Sequence, residues 1–366
     1  MKRKIVAVFL LISVIASLFS MTSCSKNKVK IDGPSKVVTD ILGREVEIPE
    51  DPQRVTCMYA ATAHMMALID EGDRIVGCAD GVRRDELMLT KYPDIANTST
   101  PYHEGVINAE ELASLNPDLI LMKQEWYEKQ SEREKLDELG IPYLVVDYFS
   151  IDQLQQCIKL VGEVFNKTDR ADAYIKYMND TFDFVEGRVS DIPKDQRKTV
   201  YHSLNEAAVT DIVGSYASQV FEKAALRNVA VEAGIADSGK STNVTLEEIY
   251  NWDPDIILCN EHAVTEYIGT QKKWASLKAV QTGNVNTLPI GASRWGHHGS
   301  IEPQMAVLYM AQLIYADRFA DVDMATITKE YYSQYFGLDF DDETIGKILS
   351  GKGMRESAPT VSVSLL

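Results

Sequence analysis

EELASLNPDLIL, residues 110–121, returns 137 residues later as EEIYNWDPDIIL, residues 247–258. Both copies read Glu-Glu, a short amphipathic stretch, then Pro-Asp and three aliphatic residues. This is a helix, a turn and a strand. A helix that precedes a parallel strand runs antiparallel to it, so its amino end sits at the strand's carboxyl edge. Ligands gather outside that edge in open α/β sheets. Carboxylates in a first helical turn are equally favoured by the helix dipole. Spacing alone does not decide between these roles for Glu110 and Glu247, each seven residues before its proline.

The flanking sequence extends the same alternation. VTCMY (55–59) and RIVGCA (74–79) read as short strands, with a helix over AHMMALIDEG (63–72) between them. A polar loop, 80–107, leads into a helix at 109–115 and a strand at 118–122. A helix at 129–139 closing on Gly140 and the strand PYLVVDY (142–148) follow. Aliphatic strands alternating with helices imply a parallel sheet covered on both faces. Two helices then interrupt the pattern, at 150–165 and 168–189. In the second, Ala171, Tyr174, Ile175, Met178, Phe182, Val185 and Val189 share one face, and Thr168 is placed to cap it. It spans roughly 33 Å, too long for a simple crossover and suited to a strut. The alternation restarts with KTVYHS (198–203), a helix at 216–226, the second unit and VNTLPI (285–290); helices at 301–316 and 324–336 end it. The expected fold is α/β: two similar lobes with mainly parallel sheets joined by one long rigid helix. The lobes are 37–150 and 193–350, with interlobe helices over 151–192 and a tail over 351–366.

The chain has 366 residues, 45% of them hydrophobic and 25% charged, as in ordinary globular proteins. Its first residues differ. Lys2, Arg3 and Lys4 precede an apolar run from Ile5 to Phe19, the pattern of a secretory signal. The run is short for a membrane span, which needs about 20 apolar residues. It ends in Met21-Thr22-Ser23-Cys24, which resembles the lipobox of bacterial lipoproteins. That resemblance implies a signal peptide over 1–23, lipidation at Cys24 and a polar tether over 24–36. Removing three basic residues from a net charge of −17 leaves −20. So acidic a surface repels nucleic acid and anionic headgroups, so lipid, not charge, would hold it at the membrane. Cys57, Cys78, Cys157 and Cys259 have no metal-ligand spacing. Cys57 and Cys78 fall on neighbouring strands, as buried thiols or as a pair.

Several stretches together resemble the class III substrate-binding proteins of ABC importers for iron-siderophore, haem and cobalamin. They are TDILGREVEIPEDPQRV (39–55), GDRIVG (72–77), NAEELASLNPDLIL (108–121), ELGIPYLVVD (138–147), TLEEIYNWDPDIIL (245–258), WASLKAVQTGNVNTLP (274–289), SIEPQMAVLYMAQLIYADRF (300–319) and DVDMATITKEYYSQYFG (321–337). Their order and spacing, over about residues 37–350, carry the resemblance. It implies an extracytoplasmic, lipid-anchored, monomeric capture protein without cofactor or catalytic residues, working with an ABC permease and its ATPase. It also implies one docking glutamate per lobe, Glu110 and Glu247, meeting basic residues of the permease; Glu111 and Glu248 are the neighbouring choices.

Cargo would sit between the lobes, against loops that follow the strands. The candidate contacts are Tyr59, Arg83, Arg84, Tyr102, His103, Trp126, Tyr148, His202, Tyr216, Arg294, Trp295, His297 and His298. GASRWGHHGS (291–300) is the most suggestive stretch. Its arginine suits carboxylate or phosphate-like groups, and its tryptophan suits a flat ligand. All six histidines map near the expected cleft edge, yet no HxxH or HxH pair fixes a bare-metal site. The resemblance therefore implies a metal carried inside an organic chelate, with ferric siderophore first, then haem, cobalamin or an oxyanion such as molybdate or tungstate. An extracellular enzyme acting on a chelate is the contrasting reading, but the chain has no GxSxG elbow, HExxH or P-loop.

Overall fold

The computed structural model describes residues 31–236 and 241–352. The signal-like run, Cys24, the first part of the tether and the tail beyond 352 lie outside the described residues. Among those described, no helix is long and apolar enough to cross a membrane.

Two parallel four-stranded sheets organise the chain. The first contains β1 (Val55–Cys57), β2 (Ile75–Cys78), β3 (Leu119–Met122) and β4 (Tyr143–Val145), in the order β2-β1-β3-β4. The second contains β5 (Thr199–Ser203), β6 (Arg227–Asn228), β7 (Ile256–Cys259) and β8 (Val285–Thr287), in the order β6-β5-β7-β8. All these pairings are parallel. The strand order is therefore the same in both lobes, and the repeated unit supplies the third-listed strand of each.

The repeat's form follows from that position. In β3, Leu119 and Leu121 enter one apolar cluster while Ile120 and Met122 enter another. In β7, Ile256 and Leu258 face one cluster, Ile257 and Cys259 the other. A strand buried on both faces needs consecutive aliphatics, each contributing about 1.5–3 kcal/mol on burial. The helices of the unit are α1 (Ala109–Ser114) and α2 (Leu246–Trp252). The residue before each proline, Asn116 and Asp253, has positive φ (46° and 40°), a conformation Asn and Asp tolerate best among residues with a side chain.

The aspartate after each proline ties its strand to the neighbouring one. Asp118 accepts from the amides of Gln53 (2.8 Å) and Arg54 (3.0 Å), just ahead of β1. Asp255 accepts from the amide (2.9 Å) and hydroxyl (3.0 Å) of Thr199 at the head of β5, and from Lys278 Nζ (2.5 Å). Burial pushes the Asp255 carboxyl up, but the Lys278 and Thr199 bonds outweigh it and hold it below the usual range. Asp255→Ala is expected to cost about 1–3 kcal/mol in urea unfolding, because it strands a partly buried amide. Asp118→Ala, whose bonds are more exposed, should cost less.

The strut helix is Thr168–Val189, with Ala171, Tyr174, Met178, Phe182, Val185 and Val189 buried as the spacing implies. Thr168 does not cap it: Lys167 occupies the cap position without a side-chain bond, so Thr168 lies inside the first turn. Near the strut's amino end Arg170 donates to Leu68 O (2.7 Å), in the first lobe. At its carboxyl end Arg188 holds Asp321, in the second lobe, at 2.5 Å. One apolar cluster runs from the first sheet through the strut to α3 (Pro303–Ile314) and α4 (Met324–Phe336). Cys57 and Cys78 face each other in register across β1 and β2 as free, buried thiols.

Candidate ligand-binding cleft

The carboxyl ends of the two sheets face each other, and three tyrosines line the junction. Tyr59 follows β1, Tyr148 follows β4, and Tyr216 opens the helix Tyr216–Lys223. Ring centroids lie 6.2 Å apart for Tyr59–Tyr148 and 5.4 Å for Tyr148–Tyr216. Burial raises all three phenols, so they stay protonated. The hydroxyls of Tyr148 (3.0 Å) and Tyr216 (2.9 Å) both donate to the carbonyl of Ser300. Tyr148 thereby bonds across the interlobe junction to the loop after β8.

That loop, residues 291–300, presents the nitrogen-rich face. The His297 and His298 rings lie 3.9 Å apart, tilted by 34°. Arg294 pairs with Glu261 at 2.5 Å, and Lys123, just after β3, lies 4.7 Å over the Tyr59 ring. Burial lowers His297 well below its ordinary value, and the positive surroundings of His298, Arg294, His202 and Lys123 lower it further. A cavity of about 150 Å³ bridges the lobes here. Tyr148 and Phe149 line it from the first lobe; Ile212–Tyr216 and His298 line it from the second. The amino end of the helix Tyr216–Lys223, capped by Ser215, forms part of its wall, and such an end favours anions.

Other candidates lie elsewhere. His202 is fully buried: Nδ1 meets Asp211 at 2.8 Å and Nε2 meets Asn260 at 3.1 Å. Residue type and strand position suggested a ligand contact, but the loop backbone at Gly296 seals it in. Trp295 is also fully buried, edge-on to Tyr309 at 6.1 Å, and offers no face for stacking on cargo. Trp126 packs against Tyr102 at 4.8 Å and donates to Gly105 O (3.2 Å), beneath the hairpin of Tyr102–His103 and Val106–Ile107. Arg84 is exposed and paired with Asp80 at 2.6 Å. Arg83, Tyr102 and His103 do meet, in a separate hollow of about 490 Å³ that Asp80 and Glu111 also line. Burial pushes Tyr102 up to about 12. His64 is not at the cleft edge but buried against Asp85 at 3.1 Å.

The two copies of Glu-Glu divide labour by position. Asn108 caps α1 by accepting from Glu111 N (3.2 Å) and donates to the Glu111 carboxylate (3.3 Å). Thr245 and Glu248 form a full capping box on α2. Glu111 and Glu248 are thus engaged in the caps, whereas Glu110 and Glu247, one residue earlier, are exposed.

Two parallel-sheet lobes, a strut and a cavity between them, walled by aromatic and aliphatic side chains with Ser215 and His298, define a two-lobed binding protein. The sequence profile of the periplasmic binding protein family matches residues 55–290. The chain belongs to that family, in its class III iron/B12 type, and is a substrate-binding protein of an ABC transporter. It is 23% identical over 336 residues to the molybdate-binding protein MolA of Haemophilus influenzae, covering 85% of this chain and 94% of that protein. The solved molybdate-bound MolA superposes with a TM-score of 0.74, covering 84% and 99% of the two chains. A periplasmic solute binding protein from Veillonella parvula is 26% identical with a TM-score of 0.74, covering 88% and 98%. The uncharacterized ABC transporter substrate-binding lipoprotein YvrC of Bacillus subtilis is 22% identical over 302 residues, covering 81% and 91%.

Proposed function

We propose that the chain captures a small oxyanion of the molybdate class between its lobes, in place of the ferric siderophore expected from sequence. The cavity carries this reading. About 150 Å³ is less than the roughly 300–1,000 Å³ of pockets for drug-sized ligands, and well short of haem or cobalamin. Its surroundings supply what an oxyanion needs: His297 and His298, a helix amino end, and the cations Lys123 and Arg294 nearby. The molybdate-binding relative supports the same cargo. The separate hollow at Arg83, Tyr102 and His103 has room for a larger chelate, which is the second reading.

Delivery is assigned to the exposed Glu110 and Glu247, which meet basic permease residues. Cys24 is assigned to lipid anchorage outside the cytoplasm, a reading supported by the lipobox and by a relative named as a lipoprotein. No turnover is expected of the site.

Titration calorimetry with molybdate, tungstate, a ferric catecholate and haemin tests the cargo. Saturable molybdate binding without product is expected, with affinity lowered about tenfold by His298→Ala, the loss of one charge-assisted bond. Binding of the iron chelate with no response to either oxyanion would reverse the assignment.

A further inference from the structure

The loop that carries Arg294, His297 and His298 is closed on itself by one buried carboxylate. Glu302, immediately before α3, is fully buried. Its Oε2 accepts from the amide (2.8 Å) and hydroxyl (2.7 Å) of Ser293, and its Oε1 accepts from the Tyr332 hydroxyl (2.5 Å). Ser293 Oγ also meets Ser300 Oγ at 2.9 Å, and Ser300 Oγ accepts from Glu302 N (3.1 Å). Residues 293 and 300, the two ends of the histidine turn, thus meet hydroxyl to hydroxyl, and each is tied to Glu302, Ser293 through the carboxylate and Ser300 through the backbone amide. Ser300 is the residue whose carbonyl takes both tyrosine hydroxyls in the cleft. The chain of bonds continues away from the cleft through Tyr332 on α4. Beside it Tyr174 of the strut donates to Ile301 O (2.8 Å) and meets Tyr331 at 2.8 Å.

We propose that Glu302 is a positioning residue: its buried carboxyl group fixes the 293–300 loop in the shape that presents Arg294, His297 and His298 to cargo. The proposal rests on the reading that this loop faces the ligand.

The carboxylate is an unusual choice for a purely structural staple. Burial raises the Glu302 carboxyl above its ordinary value, and the bonds from Tyr332 and Ser293 and the nearby His64 only partly offset this. The titratable groups facing it are His64, itself against Asp85, Tyr174 on the strut, Tyr331 and Tyr332 on α4, and Tyr216 across the loop. A carboxyl whose folded pKa is raised favours the fold most below its ordinary value. That contribution is lost as pH rises through the raised one. Burial opposes the charged form here, and the geometry of the bonds to Ser293 and Tyr332 is what holds the loop. Residue type gave no hint of it, because Glu before Pro at a helix start reads as dipole compensation.

The test uses the isosteric Glu302→Gln, with Ser293→Ala as a second variant that keeps the charge. A glutamine can keep its oxygen on Ser293 but turns a donor toward Tyr332, so the charge and the acceptor for the Tyr332 hydroxyl are lost. In the ligand-free protein, hydrogen exchange over 291–300 should speed about tenfold or more in Glu302→Gln at pH 7.5, and to a lesser degree in Ser293→Ala. The melting temperature of Glu302→Gln at that pH should fall only slightly, with exchange outside the loop unchanged. Unchanged exchange in the loop, or a lowered melting temperature with faster exchange throughout, would overturn the positioning role. Molybdate titration is the separate arm. Affinity about tenfold weaker in Glu302→Gln is the expected consequence. Failure of the unaltered chain to bind molybdate, with the exchange result intact, would count against the cargo reading alone.

Discussion

Lysine at both positions 110 and 247 is expected to stop delivery of cargo while leaving its capture unchanged. Both side chains are exposed at the first turn of equivalent helices, one per lobe. Each sits at the edge of its lobe where the third-listed strand ends, so a permease with two basic patches at matching separation would read both at once. Reversing one charge turns an attractive pair into a repulsive one. Two reversals should reduce transport by about a hundredfold or more, at about 1.4 kcal/mol per tenfold. Molybdate affinity measured on the isolated variant should stay within about twofold, because neither residue lines the interlobe cavity. The neighbours provide the control. Glu111→Gln and Glu248→Gln touch cap residues, so they should lower stability slightly and leave transport nearly intact. Equal loss of transport from the cap pair, or a parallel fall in cargo affinity in the lysine variant, would refute the docking assignment. Raising salt should slow association of the unaltered protein with detergent-solubilised permease and have less effect on the lysine variant.

What the sequence disclosed and what it concealed differ in kind. The aliphatic triplets of β3 and β7 announced strands buried on two faces, and the bounds Thr168–Val189 matched the strut, with Ile175 of its apolar stripe only partly buried. Helix α4 was bounded in advance because its ends follow local rules: Asp323 caps it and Gly337 ends it in the left-handed region. These features depend on periodicity, which a chain carries openly. The cleft depends on which side chain meets which. His202 and Trp295 have the chemistry of ligand contacts and follow the right strands, yet both are sealed in the second lobe's interior. Glu302 and Ser293 looked like helix-start and loop residues, and their role exists only because residues nine apart meet. The loop 123–127 follows a strand and is legible as a cleft loop, but nothing local signals the seat of Lys123 on the Tyr59 ring. For His202, Trp295 and Ser293 the cause is the backbone path of the 291–300 loop, which no periodicity encodes.

Gly296→Ala tests that path directly and is expected to lower both stability and cargo affinity. An added Cβ at Gly296 would lie 2.5 Å from Asn260 Oδ1 and 3.0 Å from His202 Nε2, with the Leu288 side chain closer still. None of these neighbours can step aside cheaply. His202 is held by Asp211, which also accepts from Asn228 Nδ2 (2.8 Å), and its ring lies 4.7 Å from that of Phe221. The backbone N–H of Asn260 donates to Ser203 O at 3.0 Å, and its Oδ1 meets His202 Nε2 at 3.1 Å. The loop itself must therefore lift. Overpacking of this kind costs about 1–3 kcal/mol, visible in urea unfolding. Lifting residue 296 also displaces His297, His298 and the Ser300 carbonyl from the Tyr148 and Tyr216 hydroxyls. Molybdate affinity should fall about tenfold or more, equivalent to at least about 1.4 kcal/mol. Gly299→Ala offers the contrast. Its Cβ would stand 3.1 Å from the Tyr59 hydroxyl and 3.3 Å from His297 Nδ1, both at the cleft rather than beneath the loop. It should disturb binding while costing less stability. If Gly296→Ala unfolds like the unaltered chain and binds as well, the loop is not pressed onto His202 as the structure has it. The burial that removes His202 from the cleft would then need another cause.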